Sequence, residues 1–111
     1  MSNIIDGRKI MWMMVMFDLP TDTPKHRHDA HKFREYLLDM GFSMNQYSVY
    51  TKFIGAKDLC PRYVSAIKQY APTSGNITIL FFTDKQFDDI ILIGDLDYRE
   101  LPQSPEQFML F

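Results

Sequence analysis

The sequence lacks the features that announce most protein classes. It has a single cysteine, Cys60, so no internal disulfide and no cysteine-based zinc site can form. Its longest uninterrupted apolar run, residues 10–17, is eight residues long, far below the ~20 that a membrane-spanning helix needs. The first nine residues carry Asp6, Arg8 and Lys9 and no apolar stretch, so no secretory signal is expected. The five glycines are scattered and form no phosphate-binding loop. There is no internal repeat, no low-complexity tract and no His-Glu-x-x-His pattern. These absences exclude membrane-spanning, disulfide-stapled and zinc-finger readings. The expectation is a cytoplasmic protein that does not engage a membrane.

The 111 residues are 46% hydrophobic and 23% charged, enough for one core in one domain. The net charge is −2, but it is unevenly spread. Residues 1–68 carry ten basic and seven acidic side chains, whereas residues 69–111 carry two and seven. Phosphate affinity follows local clusters rather than the total, so the basic half is where a nucleic-acid contact would lie.

Residues 11–17 are apolar without alternation, which predicts a strand buried on both faces. Thr23-Pro24 is an N-cap followed by a first-turn proline, and it predicts a helix over 24–40 with Ala30, Phe33, Leu37 and Met40 on its buried stripe. Gly41 is its expected left-handed stop. Two strands are expected near 42–45 and 47–53, split by a turn or bulge at Asn45-Gln46. Asp58 is the expected cap of a second helix with Leu59, Tyr63, Ala66, Ile67 and Tyr70 inward. A strand over 76–82, a helical turn from Thr83-Asp84 to Phe87 and a short strand over 90–93 complete the order. That order predicts an α+β sheet with both helices on one face. Its other face is too apolar to stand in water. A second copy is the expected cover, and the C-terminal tail folding back is the alternative.

Asp18 ends the first strand, where loops open onto solvent. An aspartate there can hold a hard divalent cation through oxygen, although Asp before Leu-Pro is also ordinary turn chemistry. A symmetric dimer would bring two such carboxylates together, and a metal between them can activate water against a phosphodiester. On the first helix, Arg27, His31 and Arg34 fall within about 60° of one another, a geometry that can grip phosphates. The alternative is a solvated face balanced by Asp29, Glu35 and Asp39. His26, His28 and His31 lack the companions of a metal site, and His31 suits phosphate contact by partial protonation.

The blocks Met14-Val15-Met16-Phe17-Asp18-Leu19-Pro20, then Arg27, Ala30, Phe33 and Arg34, then Gly41-Phe42, Gln46, Ser48-Val49-Tyr50, and finally residues 79–87 occur in order. Together they resemble the CRISPR-associated endoribonuclease family, the small subunit of the spacer-acquisition complex. Thr83-Asp84-Lys85-Gln86-Phe87 looks most like members from type II systems. The resemblance spans about residues 10–94. It implies a ferredoxin-like βαββαβ fold over residues 1–94 with an additional short C-terminal strand, dimerised through the open sheet face. It implies a metal-dependent endonuclease site in which Asp18 is both the catalytic carboxylate and the metal ligand. One magnesium ion, replaceable by manganese, would be shared across the homodimer. Arg27 and Arg34 match basic positions of the family's first helix. The implied partners are DNA or RNA and the CRISPR integrase subunit, with the tail at 95–111 as the docking segment. One departure is Phe17, where many members have tyrosine; phenylalanine donates no hydrogen bond.

Two readings fit these motifs. One is a magnesium-dependent endonuclease acting on single-stranded RNA or double-stranded DNA in spacer acquisition. The other is a non-catalytic dimeric scaffold that binds DNA backbone and bridges integrase dimers. A related toxin-type ribonuclease is a third possibility.

Overall fold

The structure, a computed structural model, describes residues 10–94 and 97–99. Strand β1 (Ile10–Asp18) is hydrogen-bonded on both sides, to β3 (Val49–Ala56) and β4 (Asn76–Thr83), all antiparallel. With β2 (Ser43–Gln46) outside β3, the sheet order is β2-β3-β1-β4. Helix α1 (Pro24–Asp39) connects β1 to β2, and α2 (Cys60–Tyr70) connects β3 to β4. This is the ferredoxin-like α+β arrangement that the sequence predicts.

Register assigns the faces. Residues opposite one another in an antiparallel pair lie on the same side, and neighbours along a strand alternate. Val15 lies opposite Tyr50 and Ile79, and Phe17 lies opposite Ile77. Met11, Met13, Val15 and Phe17 therefore line one face, where they form a core with Tyr50, Phe33 and Leu37 of α1 and Ile67 of α2. Phe17 meets Phe33 edge-on at 5.2 Å between ring centroids. Burying each of these large side chains is worth ~2 kcal/mol.

The helix starts are local chemistry. Thr23 Oγ1 accepts the His26 amide at 3.0 Å, and Pro24 occupies the first turn without a missing hydrogen bond. Ala30, Phe33 and Leu37 are buried as the spacing predicts, and Met40 is half-buried. Gly41 follows at φ +96°. The second helix differs from its expectation at both ends. Asp58 does not cap it, because a 3₁₀ turn (Lys57–Leu59) takes up that residue and leads directly into α2. Tyr70 is not inward: it is exposed and stacks on Tyr36 at 4.0 Å.

The middle strands also need correction. The hairpin turn is at Tyr47-Ser48, with Ser48 at φ +70°, while Asn45 sits at an irregularity in the β2 ladder. There it accepts a hydrogen bond from the buried Thr51 hydroxyl at 2.6 Å.

The open face of the sheet is not uniformly bare. Helix α3 (Asp84–Asp88) starts in a reciprocal cap between Thr83 and Gln86 and lays Phe87 flat on Trp12, with centroids 3.9 Å apart and planes at 2°. The Trp12 indole N–H donates to Asp84 Oδ1 at 2.7 Å. Trp12 is therefore buried. Farther along the same face Met14 is half-buried and Met16 is exposed, so β1 is not buried on both faces throughout, contrary to expectation.

Beyond α3, β5 (Leu92–Gly94) pairs with β6 (Asp97–Arg99) in a separate two-stranded sheet. The expected strand at 90–93 is thus shifted by two residues at its start. Of the tail at 95–111, β6 is the only part among the described residues; the remainder, and its docking role, lie outside them. Among the described residues no helix is long and apolar enough to cross a membrane.

Candidate functional site

Asp18 is the last residue of β1, and its side chain is exposed at the carboxyl end of the strand. It lines a groove of about 330 Å³ with Met16, Tyr47, Ser48, Asn76 and Thr78. Two turns fix this end of the strand. The Ser48 carbonyl accepts the Phe17 amide at 3.1 Å, which fastens the β2–β3 turn to the residue before Asp18. On the other side, Gly75 packs against the Asp18 main chain.

Arg34 reaches this end of the sheet from α1. Its guanidinium donates to the Tyr47 hydroxyl at 3.0 Å and lies 4.8 Å from the Tyr47 ring centroid. It also lies beside the buried Tyr50 hydroxyl. Burial raises the Tyr50 phenol above its ordinary range, and Arg34 offsets that in part. The Tyr50 hydroxyl and Arg34 Nε are nevertheless both buried without a hydrogen bond of good geometry.

The other basic candidates are spent locally. Arg27 donates to the Thr21 carbonyl at 3.0 Å, bracing the loop that enters α1. His31 Nε2 lies 3.3 Å from Glu35 Oε2, one turn along the helix. His26 Nδ1 lies 2.7 Å from Asp22 Oδ1, a contact that holds the Asp22 carboxyl below its ordinary value. Of the four residues expected at the site, the structure thus links Asp18 and Arg34 through the Tyr47-Ser48 turn. Arg27 and His31 remain on α1. Tyr47 is the residue that sequence reasoning missed; a turn placed two residues later would have exposed it. The Phe17 side chain is buried in the core against Phe33, and the residue also lines the groove beside Asp18. A second groove, about 450 Å³, runs along α1 and the end of α2 past the Tyr36–Tyr70 stack, and Asp18 takes no part in it.

The donor set around Asp18 is one carboxylate with neutral oxygens from Ser48, Asn76 and Thr78. No group of three His, Cys, Asp or Glu side chains that could enclose a metal occurs among the described residues. That set fits magnesium, which keeps several of its waters and is commonly held by only one or two carboxylates. It does not fit zinc.

Fold and site together define a small ferredoxin-like α+β protein with a single acidic side chain in a groove braced by an arginine. The profile of the CRISPR associated protein Cas2 family matches residues 11–90, and the chain belongs to that family. It is 38% identical over 108 residues to the "CRISPR-associated endoribonuclease Cas2" of Paracidovorax avenae, covering 97% of this chain and 100% of that one. The protein of the same name from Parvibaculum lavamentivorans is 40% identical over 101 residues (91% of this chain, 100% of that one). That of Streptococcus mutans is 42% identical over 84 residues, covering 76% and 77%.

Proposed function

We propose that this chain is a magnesium-dependent endoribonuclease subunit that acts in CRISPR spacer acquisition. The observation that carries the reading is the placement of Asp18, exposed at the end of the central strand in a groove with Asn76 and Ser48. A bound magnesium ion would supply an activated water and neutralise charge on the phosphodiester. The chain's own part is to hold that ion through Asp18, with manganese as a substitute. The guanidinium of Arg34, fixed on Tyr47, would attract the nucleic-acid backbone. Arg27 and His31 would meet phosphates farther along the strand only by giving up their contacts with the Thr21 carbonyl and Glu35.

The active form in this reading is a homodimer through the open sheet face, where Met14 and Met16 stay incompletely covered. Symmetry then brings two Asp18 carboxylates to one ion. The assembly would join the CRISPR integrase subunit on DNA in the cytoplasm.

The test is cleavage of labelled single-stranded RNA and duplex DNA by wild type and Asp18→Ala, with and without magnesium. Metal-dependent cutting that disappears in the variant supports the reading. Absence of cutting, or cutting that the variant retains, overturns it in favour of the dimeric scaffold.

A further inference from the structure

Tyr47 is 73% exposed and is among the residues that line the Asp18 groove. Turns favour small polar side chains, so an aromatic ring at this position is not explained by the turn itself. The ring is also not loose. Arg34 holds its hydroxyl at 3.0 Å and its guanidinium carbon lies 4.8 Å from the ring centroid. The backbone beneath is fixed by Ser48 at φ +70° and by the hydrogen bond from the Phe17 amide to the Ser48 carbonyl. An aromatic surface immobilised before its ligand arrives loses little side-chain entropy on binding.

We propose that Tyr47 is a stacking platform for an unpaired nucleobase of the strand whose backbone passes Asp18, and so selects single strands. The inference rests on the reading of the groove as a nucleic-acid site. Bases within a duplex already stack on one another, so only a splayed or single-stranded base can lie on this ring. Arg34 serves the same contact twice, by bracing the phenol and by placing a positive charge where the flanking phosphate lies. Tyr47 is thus a specificity-determining residue and takes no part in bond breaking.

The test is equilibrium binding by fluorescence anisotropy, with chelator present so that nothing is cut. Two labelled single-stranded RNAs of equal length are compared, one normal and one carrying abasic sites. Wild type binds the normal strand about tenfold more tightly than the abasic strand, the scale of one base stacked on one aromatic ring. Tyr47→Leu removes that difference, whatever the loosened Arg34 does to the affinity that both strands share. Tyr47→Phe keeps it, because the ring and not the hydroxyl carries the contact. Equal binding of both strands by wild type overturns the inference and leaves the nucleic-acid reading standing. So does a Tyr47→Phe variant that behaves like Tyr47→Leu, or a Tyr47→Leu variant that weakens both strands alike. Failure of wild type to bind either strand overturns the nucleic-acid reading and the inference with it.

Discussion

Gly75 lies so close to Asp18 that a Cβ built on it would sit 2.6 Å from the Asp18 carbonyl oxygen and 3.0 Å from Leu19 Cα. The bend before β4 therefore serves as a seat for the end of β1. Because Asp18 and Asn76 are partners in the ladder, the same contact fixes two of the groups in the groove that can meet a cation.

Gly75→Ala is expected to be costly twice over. Gly75 is at φ +93°, a conformation that costs an L side chain about 1–2 kcal/mol. The clash with backbone atoms adds to it, so the total loss should be at least about 2 kcal/mol. The variant should also lose magnesium-dependent cleavage out of proportion to its folded fraction, since the displaced residue is Asp18 itself. Denaturant melts and rates per folded molecule measure the two effects. A variant that melts like wild type would show that the two turns are not in such close contact.

Much of this frame is legible in the sequence. Thr23, Pro24 and Gly41 state the bounds of α1 by themselves, because capping is decided by a few neighbouring residues. The odd-numbered residues of β1 are found in the core for the same reason that any central strand is apolar. The site is less legible. The hairpin turn rests on Ser48 at positive φ, where glycine or asparagine would have been the ordinary signal. Misplacing that turn by two residues conceals Tyr47 and with it the anchor for Arg34. Helical spacing groups Arg27, His31 and Arg34 correctly on α1. The same spacing offers Glu35, one turn on, as the partner of His31, but it cannot show that Arg27 is taken up by the Thr21 carbonyl, because that contact depends on rotamer and loop path. The cover that α3 gives Trp12 is likewise a long-range contact, 72 residues apart in the Asp84 hydrogen bond.

That cover supplies a second prediction. Phe87 is buried against Trp12, and its truncation to alanine should cost about 3 kcal/mol, mostly as lost burial and cavity. Trp12 is the single tryptophan, so its emission reports the surroundings of one indole, to which Phe87, Asp84 and Phe53 contribute. Phe87→Ala should shift the emission to longer wavelength in the folded protein, before any unfolding. An unshifted spectrum would mean that α3 does not shield the indole.

Stability at alkaline pH should fall, and the sign follows from three groups. Burial raises Cys60 above its ordinary 9.0, and raises Tyr36 and Tyr50 above 10.0. The folded protein thus keeps these protons to higher pH than the unfolded chain does. Their contribution is complete below the ordinary values and is lost as pH climbs through the raised ones. The melting temperature should be level from neutral pH to ~9 and decline above it. Tyr50→Phe should flatten part of that decline. At neutral pH it should cost under ~1 kcal/mol, because the hydroxyl it removes is buried without a well-formed hydrogen bond. A melting temperature that rises between pH 9 and 11 would contradict the assignment (the interval is approximate, set by the ordinary thiol and phenol ranges).

The last prediction concerns the exposed end of the open face. Met16 is 40% exposed near the carboxyl end of the inner strand β1, two residues from Asp18, with Val49 and Thr78 beside it in register. In an isologous dimer the same patch meets itself, so one substitution acts twice in each interface. Met16→Glu would place two carboxylates in the contact and remove two apolar side chains; because Met16 also lines the Asp18 groove, the readout is the oligomeric state and not cleavage. The substitution should therefore turn a dimer into a monomer in sedimentation velocity at micromolar concentration while leaving the circular dichroism spectrum and the Trp12 emission unchanged. A wild-type chain that sediments as a monomer would remove the shared-ion site. A Met16→Glu variant that stays dimeric would move the interface to another surface and leave Asp18 to act within one chain.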